Sequence, residues 1–203
     1  MISIVNYGLG NLGSIVNMLK RAGFDSTIIS TPEDLNDATK IVLPGVGSFD
    51  TGMNNLIFGG WIEILNKKVL EDKIPVLGIC LGMQLMCKSS EEGKIPGLGW
   101  FNANVKKFKS NDMSFKIPQI GWNTIEPKKN SFLFNDDFVE RRYYFVHSYY
   151  VETDNTDDIL ATTKYGLTYT SAIQRSNLLG VQFHPEKSHK YGTSLLYNFA
   201  NKS

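Results

Sequence analysis

The chain has 203 residues, a formal charge of +1 and 42% hydrophobic residues, enough for one sizeable core, read as a single domain over residues 1–203. The near balance of charge gives no electrostatic reason to expect a nucleic-acid partner or a membrane surface, and no apolar run approaches the roughly 20 residues of a membrane span. A strand signal already at Ile2 predicts no signal peptide, and the only cysteines, Cys80 and Cys87, lie too far along one predicted helical stretch to form a disulfide, which predicts a reduced, cytoplasmic protein.

The first half alternates strand and helix signals. Ile2–Asn6 reads as a buried strand. Ile15–Arg21, apolar at Ile15, Val16, Met18 and Leu19, reads as a helix closed by Gly23. Thr27–Ile29 is a second strand. Thr31-Pro32-Glu33-Asp34 opens a helix, with threonine as cap and proline in the first turn. Lys40–Leu43 is a third strand, ended by Pro44-Gly45. Trp61–Leu70 is amphipathic, with Trp61, Ile64, Leu65 and Val69 inward. Ile74–Leu77 leads into Gly78-Ile79-Cys80-Leu81-Gly82, and a helical stretch, Met83–Lys88, leaves it. This alternation predicts an α/β fold with a mostly parallel sheet flanked by helices.

The second half changes character. It is rich in Tyr, Phe, Val and Thr, with short strands expected at Val105–Phe108, Tyr143–Val146, Leu160–Thr163, Tyr169–Ile173 and Leu179–Phe183. Antiparallel hairpins suit these better than crossovers. Thr193–Asn201 reads as a closing helix, and no linker, repeat or low-complexity segment interrupts the chain.

Cys80 between glycines, at a strand-to-helix turn, has the pattern of a nucleophile elbow with sulfur in place of oxygen. Thiols at helix N-termini feel the positive end of the dipole, which favours the thiolate. Gly8-Leu9-Gly10-Asn11-Leu12-Gly13 fits a dinucleotide fingerprint, but the second strand ends in Ile29-Ser30-Thr31 with no acid for a ribose, so a tight turn is the preferred reading. Pro44-Gly45-Val46-Gly47-Ser48-Phe49 suits a plain turn, a phosphate nest or an oxyanion hole.

His184-Pro185-Glu186 follows a strand. Proline keeps the preceding residue extended, and alternation along extended chain turns His184 and Glu186 to one side, where a carboxylate orients a general base. His147 reads as a hydrogen-bonded core residue, His189 as solvent-facing and Cys87 as a small buried residue. None stands at metal-ligand spacing, so no metal site is predicted. A nucleophile, an oriented base and a glycine-rich loop are the parts of acyl transfer through a thioester.

Pro75-Val76-Leu77-Gly78-Ile79-Cys80-Leu81-Gly82-Met83-Gln84-Leu85 and Gly180-Val181-Gln182-Phe183-His184-Pro185-Glu186-Lys187-Ser188 resemble the two signatures of class I, triad-type glutamine amidotransferases. Further matches at Asn6–Asn11, Leu43–Phe49, Ser90–Gly93, Gly121–Asn123 and Phe145–Tyr150 make the whole chain similar to the glutaminase subunits of imidazole glycerol phosphate synthases. The resemblance implies Cys80 as nucleophile, His184 as proton shuttle and Glu186 as its orienter. It implies glutamine binding by Gln84 and the backbone around Gly47, Ser148 and Tyr149. The oxyanion would rest on the Leu81 amide and an amide of Val46 or Gly47, and no cofactor is implied.

The implied partner is a (β/α)₈-barrel cyclase that consumes the ammonia in histidine biosynthesis, on a face including Asn11, Trp122, Tyr144 and Lys187. The family usually has aspartate at the position of Asn6 and histidine at that of Gln119, and follows Gly97-Leu98-Gly99 with an aliphatic residue where Trp100 stands here. Asn6-Tyr7 and Gly99-Trp100 resemble instead a paralogous group that supplies ammonia to amidotransferases of surface-polysaccharide sugars. A cysteine peptidase or chaperone-like relative is a further alternative, although such proteins tend to carry histidine where Leu81 stands.

Overall fold

The computed structural model describes residues 1–109 and 115–201. Four short strands start the sheet: Ile2–Val5 (β1), Ser26–Ile29 (β2), Lys40–Leu43 (β3) and Val76–Ile79 (β4). They pair in parallel in the order β2-β1-β3-β4. All four residues of β1 and of β4 are buried, as strands covered on both faces require.

Helices connect these strands. Leu12–Arg21 (α1) buries Ile15, Met18 and Leu19, one face at helical spacing. Phe49–Phe58 (α2) is capped by the Ser48 hydroxyl, which accepts the Thr51 N–H. Trp61–Asn66 (α3) runs into a wider π-helical turn over Lys67–Glu71, so the predicted Trp61–Leu70 helix is present but changes winding after Asn66. The expected helix at Thr31 is a 3₁₀ turn over Pro32–Asp37.

The helix after Cys80 differs from the sequence reading. It spans Leu81–Leu85 (α4) rather than Met83–Lys88. It starts at once after Cys80 and ends early because the Lys88 N–H donates to the Ala103 carbonyl and the Met86 carbonyl accepts from the distant Phe101 N–H. Cys87 therefore lies beyond the helix. Both cysteines are free and buried.

The second half adds Ser89–Ser90 (β5), Ala103–Lys107 (β6), Gln119–Pro127 (β7), Arg141–His147 (β8), Tyr149–Thr153 (β9), Ile159–Tyr165 (β10), Leu167–Arg175 (β11) and Leu178–Val181 (β12). The order continues β4-β12-β11-β10-β7-β8, with β9 on β11 and β6 joining β9 to β5. The hairpins β7–β8 and β10–β11 are antiparallel, as expected. β12 instead lies parallel to β4, pairing Leu178 with Val76 and Val181 with Ile79, and so welds the two halves into one sheet.

Two apolar layers cover that sheet. Ile15, Leu19, Leu195, Leu196 and Phe199, from α1 and the closing helix His189–Asn201 (α5), fill one face. Phe49, Leu56, Leu65 and Leu85, from α2, α3 and α4, fill the other. Each such side chain contributes about 1.5–3 kcal/mol through removal from water. Among the described residues no helix is long and apolar enough to cross a membrane.

Candidate active site

Cys80 sits where β4 becomes α4, at φ +53° and ψ −110°, a backbone region that strains a residue with a side chain. Its N–H donates to the Val181 carbonyl at 2.8 Å, one rung past the β4–β12 ladder. The flanking glycines make this turn possible. A Cβ on Gly82 would overlap the Leu43 carbonyl oxygen, and one on Gly78 would fall 2.8 Å from the Met83 nitrogen. Backbone packed this closely against β3 fixes where the sulfur points.

A cleft of about 310 Å³ opens over the sulfur. Cys80, Leu81 and Gln84 line it from the elbow and α4, and Val46 and Gly47 from the loop after β3. Val146, His147, Ser148 and Tyr149 line it from the corner between β8 and β9, and His184 from the extension of β12. Gly47 has φ +108°, and the loop before it is tied down by Tyr7, whose hydroxyl donates to the Pro44 carbonyl at 2.7 Å. Burial, with the nearby Cys80 adding to it, pushes the Tyr7 phenol far up, so it stays a neutral donor.

His184 is 1% exposed, and its N–H donates to the Tyr144 carbonyl at 2.9 Å. Its Nδ1 lies 2.8 Å from Glu186 Oε1. The two meet in a manner the sequence reading did not foresee. His184 is extended, but Pro185–Lys187 forms a 3₁₀ turn, because proline's fixed φ suits the first position of a helical turn. The carboxylate thus folds back under the ring instead of alternating along a strand. Burial alone pushes the His184 pKa down. Hydrogen bonding to and the charge of Cys80 and Glu186 outweigh it and raise the pKa to about 10. Nε2 is buried with no hydrogen-bond partner of its own among the described residues, while the sulfur is near enough to favour a proton on the ring.

The chain matches the family described as "Glutamine amidotransferase class-I" over residues 3–203. It is 52% identical, over the full length of both chains, to "Imidazole glycerol phosphate synthase subunit HisH 2" of Methanococcus maripaludis. It is 46% identical to the HisH subunit of Leptospira borgpetersenii, over 99% of this chain and 100% of that one. The chain belongs to the class-I glutamine amidotransferase family. Its fold is also that of a putative GMP synthase component from Thermoplasma acidophilum, with a TM-score of 0.73 at 20% identity, over 98% of this chain and 92% of that one.

The amidotransferase cleft is lined by a second buried histidine, at the corner between β8 and β9. His147 Nδ1 lies 2.7 Å from the Tyr149 carbonyl and Nε2 lies 3.1 Å from the Tyr169 hydroxyl. A carbonyl only accepts, so Nδ1 carries the hydrogen and Nε2 accepts from the tyrosine. The hydroxyl's single hydrogen is then spent. The Gln119 amide, 2.9 Å from it, must turn its nitrogen there, which also gives that buried nitrogen its partner. Burial lowers the His147 pKa to about 4, against the Tyr149 bond and aided by the charge of His184. The core role expected for His147 is what the geometry gives, with Gln119 as its support.

Several cleft residues escaped the sequence reading. Glu92 lines the cleft, half-buried, and accepts the Phe49 N–H at 2.8 Å at the head of α2. Burial raises its pKa, the Phe49 bond opposes this, and Asp50 adds to the rise. Glu92 stands inside the Ser90–Gly93 family match, whose sequence alone gives it no place in the cleft. Gln182 lies inside a recognised motif, yet only the structure brings its side chain to the sulfur, with Nε2 at 3.6 Å from Cys80 Sγ.

Other candidate residues fall elsewhere. Gly8 and Gly10 have φ of +89° and +112° in a tight turn, and a Cβ on Gly10 would press on Pro44. This agrees with the turn reading over a dinucleotide site. Of the residues assigned to a partner face, Trp122 is 39% exposed and packs edge-on to Tyr144. Lys187 Nζ lies 5.7 Å above the Tyr144 ring. Asn11 is exposed at the N-cap of α1, outside this aromatic group. His189 is exposed as expected, but it also stacks on Trp122 at 5.4 Å. Burial pushes the Cys87 thiol up, as a packed residue would show. Among the described residues no cluster of three or more His, Cys, Asp or Glu side chains is arranged to hold a metal.

Proposed function

We propose that this chain is the glutaminase subunit of an imidazole glycerol phosphate synthase, hydrolysing L-glutamine to glutamate and ammonia through a thioester on Cys80. The observation that carries the reading is a buried His184–Glu186 pair, 2.8 Å from Nδ1 to carboxylate oxygen, beside a strained elbow thiol, in a chain similar from end to end to subunits of that name.

Sγ attacks the amide carbon. Backbone amides of Leu81 and of Val46 or Gly47, which line the same cleft, receive the developing oxyanion, each donor being worth roughly 10²–10³ in rate. As the C–N bond breaks, the His184 imidazolium gives its proton to the leaving nitrogen. The neutral ring then takes a proton from water as that water attacks the thioester, and Cys80 leaves as thiolate. Glu186 holds the ring's tautomer throughout. Gln84, Ser148 and Tyr149 hold the substrate, and the Glu92 carboxylate pairs with its α-ammonium. None of these steps calls for a cofactor.

Ammonia released into water would be protonated and lost as a nucleophile. A cyclase with a (β/α)₈ barrel, in the cytoplasm, is the partner this reading calls for, seated over Trp122, Tyr144 and Lys187 and reaching Asn11. The same chemistry serving a sugar amidotransferase is the second reading. It is favoured by Asn6 and Trp100, whose side chains bond Ser30 and Asn66 in this fold. The chain mixed with the cyclase should release glutamate, and Cys80→Ala should lower that rate at least about 10³-fold while still binding the cyclase. Turnover near wild type in Cys80→Ala would sink the nucleophile assignment. Restored growth of a histidine auxotroph lacking its own glutaminase subunit selects the first partner over the second.

A further inference from the structure

Gln182 plays no part in the steps above, yet it touches the reacting atom. Its side chain is fully buried and its Nε2 lies 3.6 Å from Cys80 Sγ. The chemistry of its neighbours decides which end of the amide faces the sulfur. The Tyr149 carbonyl only accepts, so the end of Gln84 that meets it at 3.2 Å is the nitrogen. That same nitrogen lies 2.9 Å from Gln182, which must answer with its oxygen. The Gln182 nitrogen is thereby turned onto Cys80.

The backbone explains how it arrives there. The Gln182 N–H donates to the Ser171 carbonyl at 2.9 Å, one rung beyond β12, and His184 is still extended at φ −102° and ψ 97°. Residues two apart in extended chain point to one side. One strand end therefore presents an amide donor and an imidazole to the same sulfur.

We propose that Gln182 is a positioning residue for the nucleophile. Its amide N–H holds the Cys80 thiolate in the attacking orientation, and its carbonyl ties that sulfur to the Gln84 wall of the cleft. The inference rests on the glutaminase reading for its use, but its geometry does not depend on the substrate. A hydrogen bond to a thiolate is charge-assisted, whereas one to a neutral thioester sulfur is weak, so the donor's hold relaxes as the new C–S bond forms.

Gln182→Met keeps length and volume but has no N–H. The test is the pH profile of Cys80 alkylation by iodoacetamide on the full chain, read by mass spectrometry on the Cys80 peptide, with buried Cys87 as internal reference. The midpoint should move up by about one pH unit, the size of one charge-assisted bond, while the melting temperature holds. Glutamine turnover should fall about tenfold. Gln182→Glu keeps the acceptor for Gln84 but replaces the donor with an oxygen, and should move the midpoint further up. It decides the matter if the methionine variant folds poorly. Midpoints unchanged in a folded variant would reduce Gln182 to packing. Alkylation needs no glutamine, so a shifted midpoint alongside no glutamate release by the wild-type chain mixed with the cyclase would overturn the glutaminase reading and leave this one standing.

Discussion

The two walls of the cleft each present a buried histidine, and they differ in what those rings touch. On the wall extending from β12, His184 meets a carboxylate and a sulfur, and its pKa rises to about 10. On the wall at the β8–β9 corner, His147 meets a carbonyl and a phenol, and its pKa falls to about 4. Burial pushes both rings the same way. Ionisable neighbours reverse that push on one side, and neutral partners leave it in force on the other. The charged ring can move protons. The neutral ring holds the Tyr149 carbonyl, which in turn holds Gln84. Wall chemistry, rather than residue type or depth, decides which way each ring's pKa moves.

The largest test of this contrast removes the charge from the first wall. Glu186→Gln should lower turnover by about 10³–10⁴-fold, as loss of the tautomer-fixing carboxylate does in other triads, and should move the His184 NMR titration midpoint down. A midpoint left in place would mean that Glu186 does not set the ring's charge.

The second wall should show itself in stability. A neutral buried histidine gains nothing above its unfolded pKa but loses ground as pH falls. The unfolded chain takes up its proton near 6.5, while the native ring resists down to about 4. Stability should therefore decline as pH falls from about 6.5 to 4, by about 3 kcal/mol from this group. Denaturant titration across that window should show the decline in wild type and a shallower one in His147→Gln. Equal slopes would remove His147 from the account.

The smallest effect is expected at Tyr169→Phe, which leaves His147 Nε2 without its donor. A loss of about 1–3 kcal/mol follows for an unpaired buried acceptor, with turnover nearly unchanged. A large loss of turnover with full stability would assign the second wall a chemical role.

Sequence made the first wall easier to see than the second. Cys80 between glycines and His184 two residues before Glu186 are local patterns, as are the apolar runs of β1, β3 and β4. The 3₁₀ turn at Pro185 was hidden because proline suits both an extended neighbour and a helical first turn. α2 was missed because Gly52, Asn54 and Asn55 weaken its helical signal. β7 was missed because exposed Ile120 and Trp122 break its alternation. The Gln119–Tyr169–His147 chain joins residues up to 50 apart in sequence, and no spacing rule reaches that far. Glu92 and Gln182 likewise depend on which strands become neighbours.

The parallel pairing of β4 with β12 has a mechanical consequence. β4 runs straight into Cys80, the chain leaving β12 reaches His184 three residues on, and the Cys80 N–H forms the rung beyond their ladder. Bending or breathing of the sheet carries both strand ends together, as a common-mode displacement that cancels in their separation. The loop after β3 and the aromatic patch around Trp122 stand outside that ladder. Yet Tyr144, whose ring packs on Trp122, accepts the His184 N–H at 2.9 Å through its carbonyl, so a surface settling on the aromatic patch pushes directly on the His184 end of the ladder.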